Sequence, residues 1–282
     1  MRFVRFQSGG TTSWGALDDT TVHDLSTLPG PEPTLDDISN ENRVRELART
    51  VERGQCDTYD VSEVSLLAPV STPGKLVCVG LNYRDHAEEA DRDIPEEPLL
   101  FSKAPTCVTN PESPVVAPNE VTQLDYEVEL ALVIGRYARN VSAADAEEYI
   151  AGYTILNDVS ARDTQLSNDE QFFLGKSYDT FAPLGPALRS TVDYDPNNVD
   201  IEMRVDGELR QSSNTSEFIF DVYDLVEFLS HRLTLRPGDV ISTGTTSGVG
   251  LFYDPPKLLE PGHTCEATVE GIGTLTNTVV EE

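Results

Sequence analysis

The run Asp125-Tyr126-Glu127-Val128-Glu129-Leu130-Ala131-Leu132-Val133-Ile134-Gly135 constrains this chain more than any other stretch. Its second half, residues 130–134, is continuously apolar, the pattern of a strand buried on both faces. Its first half puts carboxylates at 125, 127 and 129. Side chains on a strand repeat direction every two residues, so all three are expected on one face where the chain enters a core. Ionised carboxylates in that position are costly without a positive partner. No Lys or Arg occurs between 104 and 135, and two Glu at i and i+2 suit a hard divalent cation. The spacing alone is a weak signal. With 49 acidic residues in 282, an acidic-x-acidic triplet is expected about eight times by chance. The competing reading is a solvated acidic strand edge. The apolar run and the blocks downstream weigh against it.

The formal net charge is −29, spread along the chain, with four Lys (Lys75, Lys103, Lys176, Lys257) against sixteen Arg. Long-range attraction to nucleic acid or to an anionic membrane is thereby excluded as a function class. Spread acid with scarce Lys reads as adaptation to high salt, the habit of a halophilic archaeon, because a highly charged surface is screened there and stays dissolved. Cys56, Cys78, Cys107 and Cys265 are far apart with no C-x-x-C pair. They argue for free thiols in a reducing cytoplasm and against zinc or a secreted disulfide framework. No apolar stretch approaches the ~20 residues of a membrane span.

Residues 1–70 read as a small N-terminal unit, with short strands at 1–7, 13–17 and 21–25 and one polar helix over 34–53. Ser71-Thr72-Pro73-Gly74 marks a boundary, and residues 71–282 form the larger unit. There, 76–80 reads as a strand, 81–90 as a turn into a short helix, 142–145 as a capped helix start and 149–156 as a strand. A hairpin turns on Asp206-Gly207, an amphipathic helix covers 220–233, and a closing hairpin turns about Gly271 and Gly273. The expected fold class is α+β, mainly β, and not a βαβ repeat.

Four further blocks carry chemistry. Asn157-Asp158 ends a buried strand, where a rigid scaffold can hold a ligand, although Asp158 as a plain helix cap is the simpler reading. His86 and Glu89 are helix neighbours, so the carboxylate can orient the imidazole as a general base. A surface helix pair is the alternative. Lys176 sits beside Phe172 and Phe173, which suggests a specific anion or enolate partner, or a stem lying on aromatics. Residues 242–250 lack the Lys of a P-loop but can offer backbone N–H groups and hydroxyls to a carboxylate, or form a plain flexible loop.

Taken together these blocks resemble the fumarylacetoacetate hydrolase family. They are Asn-Tyr-x-x-His-x-x-Glu at 82–89, Glu-x-Glu at 127–129, Asn-Asp-Val-Ser-Ala-Arg-Asp at 157–163, Gly-Lys-Ser-Tyr-Asp at 175–179 with Pro183-Leu184-Gly185-Pro186, and Thr-Gly-Thr at 243–245 with Gly248-Val249-Gly250. The one departure is Thr246, where members usually have Pro. The resemblance covers about residues 71–282, and residues 1–70 resemble the small variable domain of many members. It implies a mixed β-sandwich or roll with short helices. Glu127, Glu129 and Asp158 would bind Mg²⁺ or Mn²⁺. His86 and Glu89 would activate water from a segment that orders with substrate, and Lys176 would stabilise an enolate. Arg162, Gln165, Tyr178 and Thr245 would hold substrate oxygens. The implied function is hydrolysis of a C–C bond in an acylpyruvate-like diketo acid by a cytoplasmic homodimer. The alternatives are isomerisation or decarboxylation of a hydroxymuconate-type diacid or oxaloacetate, and, in another class, a non-catalytic metal-binding protein.

Overall fold

The computed structural model describes residues 1–167 and 171–282. Strands β1 (Arg2–Ser8), β2 (Thr11–Asp18) and β3 (Thr21–Asp24) open the chain, followed by helices α1 (Leu35–Ile38) and α2 (Glu41–Glu52) and strands β4 (Asp57–Asp60) and β5 (Ser65–Leu67). Next come β6 (Leu76–Gly80), α3 (Arg84–Glu89), β7 (Leu99–Ser102), β8 (Val108–Thr109), β9 (Val115–Ala117), β10 (Leu124–Asp125), β11 (Val128–Ile134) and β12 (Ile150–Asn157). Then follow β13 (Ser160–Ala161), α4 (Arg162–Gln165), α5 (Phe172–Gly175), β14 (Ala182–Arg189), β15 (Asp200–Val205) and β16 (Glu208–Asn214). Helix α6 (Val222–Arg232) and strands β17 (Val240–Thr245), β18 (Thr264–Val269) and β19 (Gly273–Glu281) complete it.

A large mixed sheet runs β4-β3-β2-β1-β14-β12-β11-β17-β6-β7. A second sheet, β16-β15-β18-β19-β9, packs its β15, β18 and β19 against β11, β12 and β14 of the first. The fold is therefore mainly β with short helices, as expected. The apolar run predicted to be a doubly buried strand is β11, and every residue from Val128 to Ile134 is buried. It has antiparallel neighbours on both sides, β12 and β17, and the second sheet covers one face. Burying side chains such as Leu130 and Leu132 contributes roughly 1.5–3 kcal/mol each. The chain's own N-terminal strands extend this sheet, because β1 pairs with β14 as well as with β2.

Two local expectations are corrected. The helix expected over 34–53 is two helices. Thr34 caps α1 through Asp37, and Asn40 caps α2 by accepting from the Arg43 N–H, so a second cap inside the segment divides it. The helix start at Ser142 leads into a 3₁₀ turn, Ala143–Tyr149. The Ser142 hydroxyl donates to Asp145 instead of accepting from the backbone, so no side-chain cap forms. The Asp206-Gly207 hairpin is as expected, with positive φ at both residues.

Candidate metal centre and active site

The site grows out of one piece of strand register. Val128 of β11 stands opposite Asn157 of β12, and the Asp158 N–H donates to the Glu127 carbonyl at 2.8 Å. Glu127 enters one strand where Asp158 leaves its neighbour, so their side chains meet. Glu129 shares the Glu127 face two residues on. One oxygen from each of Glu127, Glu129 and Asp158 lies within 4.8 Å of the others, and all three residues are buried. The Asn157 side chain accepts from the Glu127 N–H at 3.1 Å and fixes the strand entry. Glu129 faces Thr245 at a bulge between β11 and β17, and its Oε2 accepts from the Ser242 hydroxyl and from the Gly244 N–H.

Three cations lock Glu127 and Asp158. Lys176 Nζ donates to Glu127 Oε2 at 2.8 Å and to Asp158 Oδ2 at 2.6 Å, and it lies 5.0 Å above the Phe101 ring. Lys103 Nζ donates to Asp158 Oδ1 at 2.5 Å and to the Val159 carbonyl. Arg162 donates to Glu127 Oε1 at 2.7 Å, to Asp125 Oδ2 at 2.9 Å and to Gln165 Oε1 at 2.9 Å. Burial alone would raise the Glu127 carboxyl, but Lys176 and Arg162 outweigh it and hold the group well below the usual range. Burial likewise opposes the charge on Lys176, and Asp158 and Glu127 overcome it, so the ammonium stays charged. Glu129 has no such cation of its own. Burial, then Asp158 and Glu127, push its carboxyl well up. An all-oxygen donor set with one carboxylate held up by like charges fits a hard divalent cation, which would remove that repulsion.

Asp125 does not join the triad. The chain breaks strand pairing at Tyr126 and Glu127, and Asp125 pairs through β10 with β13. Its carboxylate takes Arg162 on one side and the N–H groups of Gly250 (2.8 Å) and Leu251 (3.0 Å) on the other. The backbone N–H groups of the 242–250 segment do meet carboxylates, but these belong to the protein itself. The Gly248 N–H donates to Glu89 Oε1 at 2.9 Å. Both contacts need glycine. A Cβ on Gly250 would lie 2.5 Å from Asp125 Oδ1, and Gly248 has φ +94° with its Cβ position 2.1 Å from the Arg210 carbonyl.

These groups face a cleft of about 520 Å³, whose floor is Glu127, Glu129, Arg162, Gln165, Lys176 and Thr245. His86 lines it from α3, with Nδ1 3.4 Å from Glu89 Oε2 and its ring 6.0 Å from that of Phe252. Helix α3 is further held by the hydroxyls of Ser213 (2.6 Å) and Ser247 (3.4 Å) donating to Asp85. Thr245 donates to the Val128 carbonyl and accepts from Gln211. Asp158 is fully buried beneath the floor. Tyr178 is not brought to the cleft. It packs on Phe181 and its hydroxyl meets that of Thr164. Sequence reasoning missed Lys103, Gln211 and the anchoring part of Asp125. A Lys flanked by Ser102 and Ala104 behind an apolar strand was the one available signal for Lys103.

Residues 75–280 match the family described as fumarylacetoacetate (FAA) hydrolase, C-terminal, and residues 1–69 match the one described as Rv2993c-like, N-terminal. The oxaloacetate tautomerase Fahd2a, mitochondrial, of Rattus norvegicus is 41% identical over 263 residues, covering 92% of this chain and 84% of its own length. Among solved structures, a fumarylacetoacetate hydrolase from psychrophilic Exiguobacterium antarcticum superposes with TM-score 0.86 at 36% identity over 100% of both chains. A 5-carboxymethyl-2-hydroxymuconate delta-isomerase from Mycobacterium smegmatis does so with TM-score 0.81 at 36% identity, also over 100% of both.

Proposed function

The chain belongs to the fumarylacetoacetate hydrolase family, and from that premise we propose that it is an isomerase that interconverts the enol and keto forms of a 2-oxo acid such as oxaloacetate. C–C hydrolysis, the leading expectation from the sequence, becomes the second reading. The similarity to an oxaloacetate tautomerase and to a muconate isomerase supports isomerisation, and the Exiguobacterium structure keeps hydrolysis in view. The observation that carries the proposal is one cleft that Lys176, two members of an acidic triad (Glu127 and Glu129) and the His86 imidazole all line, with Asp158 completing the triad just beneath and Glu89 pairing with His86. Moving a proton between carbon and oxygen needs a base beside a stabilised enolate and no water at a second carbonyl.

Glu127, Glu129 and Asp158 would hold Mg²⁺ or Mn²⁺. Such an ion supplies Lewis acidity at the 2-oxo group. Lys176 then donates to the oxygen on which enolate charge develops. Glu89, itself held by the Gly248 N–H, orients His86 through Nδ1, which leaves Nε2 to take and return the proton at C3. Arg162 donates from all three of its nitrogens to Asp125, Glu127 and Gln165, so its part is to aim Glu127 and Gln165. Among the described residues the Gln165 amide N–H₂ has no partner, which leaves it for a substrate oxygen. Two copies of the chain are proposed to associate, as the resemblance implies. No helix among the described residues is long and apolar enough to cross a membrane.

The test uses freshly dissolved enol-oxaloacetate with Mg²⁺ and a parallel panel of acylpyruvates. Ketonisation should run at least ~100-fold above buffer, with acylpyruvates intact. Acylpyruvate cleavage without faster ketonisation would overturn the tautomerase in favour of the hydrolase.

A further inference from the structure

The cleft has cations at two levels. At the floor, Arg162 and Lys176 are buried: Arg162 donates to Asp125, Glu127 and Gln165, and Lys176 gives two of its three N–H groups to Glu127 and Asp158. At the mouth stands Arg92, exposed, lining the same cleft, with no ion pair or side-chain hydrogen bond among the described residues. Its acidic surroundings make this unusual. It lies within Asp91-Arg92-Asp93-Ile94-Pro95-Glu96-Glu97, and Glu88, Asp91 and Asp93 share its outer side.

The backbone explains why Arg92 points from this place. Helix α3 ends in a Schellman motif: Asp91 is left-handed at φ +50°, its N–H donates to the Glu88 carbonyl, and the Arg92 N–H donates to the Ala87 carbonyl at 3.0 Å. Arg92 is thus fixed at the end of the helix that carries His86. Arg92 and the floor residues line one cleft, so a ligand seated by its 2-oxo-carboxylate end on the floor has its far end on the Arg92 side only by extending along that cleft. A second carboxylate arriving there meets the field of Glu88, Asp91 and Asp93, which repels it unless a cation answers. The neighbouring walls, Leu81, Ala90 and Leu99, are apolar and offer it nothing.

We propose that Arg92 binds the distal carboxylate of the substrate and makes the site selective for 2-oxo dicarboxylates over monocarboxylates of the same skeleton. This deepens the tautomerase reading and rests on it for the choice of oxaloacetate as ligand. A guanidinium–carboxylate fork gives two parallel charge-assisted hydrogen bonds, and the C4 ester of oxaloacetate cannot form them.

The experiment measures binding rather than turnover. Mg²⁺-loaded parent, Arg92→Gln and Arg92→Lys are titrated with oxalate, oxaloacetate and the C4 methyl ester of oxaloacetate, read by thermal shift and calorimetry. The parent should bind oxaloacetate at least about tenfold more tightly than the ester. Arg92→Gln should erase that ratio while keeping the parent's oxalate affinity, and Arg92→Lys should retain part of it. In turnover, Arg92→Gln should raise KM for oxaloacetate far more than it lowers kcat. A parent without preference for the diacid, or a preference that survives Arg92→Gln, overturns the inference. A preserved ratio in a parent that does not ketonise oxaloacetate would sink the tautomerase and leave the carboxylate anchor standing.

Discussion

The floor of the cleft and its rim are built on opposite principles. On the floor and just beneath it, Lys103, Lys176 and Arg162 meet Asp125, Glu127 and Asp158 in buried pairs of 2.5 to 2.9 Å. On the rim, α3 is one short helix whose His86–Glu89 contact is 3.4 Å and whose Arg84 and Glu88 are exposed. Buried pairs are stiff because every member loses a great deal if its partner moves. The rim risks little by moving. The difference teaches that the floor is held by buried ion pairs whatever occupies the cleft, whereas His86 and Arg92, proposed to take the proton and the distal carboxylate, ride on an element held by hydrogen bonds.

The largest break in that comparison is to remove the carboxylate that ties the floor from beneath. Asp158→Ala leaves two buried ammonium groups short of an acceptor and should cost about 3–5 kcal/mol of unfolding free energy. Asp85→Asn, which trims a rim contact, should cost less than about 1 kcal/mol. Denaturant melts of the two variants beside the parent measure the gap, and equal losses would mean that floor and rim are one unit.

Next in size is the base. His86→Ala should slow ketonisation by ~10² to 10⁴, mostly in kcat, with the melting temperature and Mg²⁺ binding kept. A near-parental rate would mean that His86, buried on α3, packs the cleft wall and is not the base.

A third test sharpens the floor by pH. Glu129 is held well above its ordinary value of 4.5 by burial, Asp158 and Glu127. In the metal-free protein the unfolded chain loses this proton first, so the group withdraws stability as pH rises from about 4.5 towards the raised value. Mg²⁺ needs the ionised form, so its affinity should climb over the same window. The Mg²⁺-induced gain in melting temperature should therefore grow with pH in the parent and stay flat in Glu129→Gln.

The smallest effect belongs to the surface. The Debye length falls from ~30 Å at 0.01 M to ~3 Å at 1 M salt, and screening reaches exposed charge far more than buried pairs. With a net charge of −29, the melting temperature should rise by roughly 5 °C between those limits if self-repulsion costs about 1–2 kcal/mol. A flat profile would remove the high-salt reading.

The triad was legible because strand physics makes it so. A two-residue repeat puts Glu127 and Glu129 on one face, and the end of the next apolar strand supplies Asp158. The repeat misled at Asp125, because pairing stops at Tyr126 and the chain turns that carboxylate to Arg162. Lys103 was invisible for a different reason. It lies 55 residues from Asp158, and only the pairing of β6 with β7, and of β6 with β17, carries it to the floor. Tyr178 followed Lys176 in a motif, yet its ring went to Phe181, because an aromatic beside an apolar core gains more from packing than from a polar cleft. Local periodicity reads which face a residue takes, and long-range pairing decides who stands opposite.

The loop at 248–250 has one more consequence. Two of its backbone amides, two residues apart, are tied to different parts of the protein: Gly250 to Asp125 under the floor, Gly248 to Glu89 on the rim. In native-state hydrogen exchange the first should be released only with global opening, and the second whenever α3 swings free. Two positions one residue removed from each other in sequence would then report separate cooperative units. Deuterium uptake resolved to these two glycines would time the rim's excursions against a reference that stays shut.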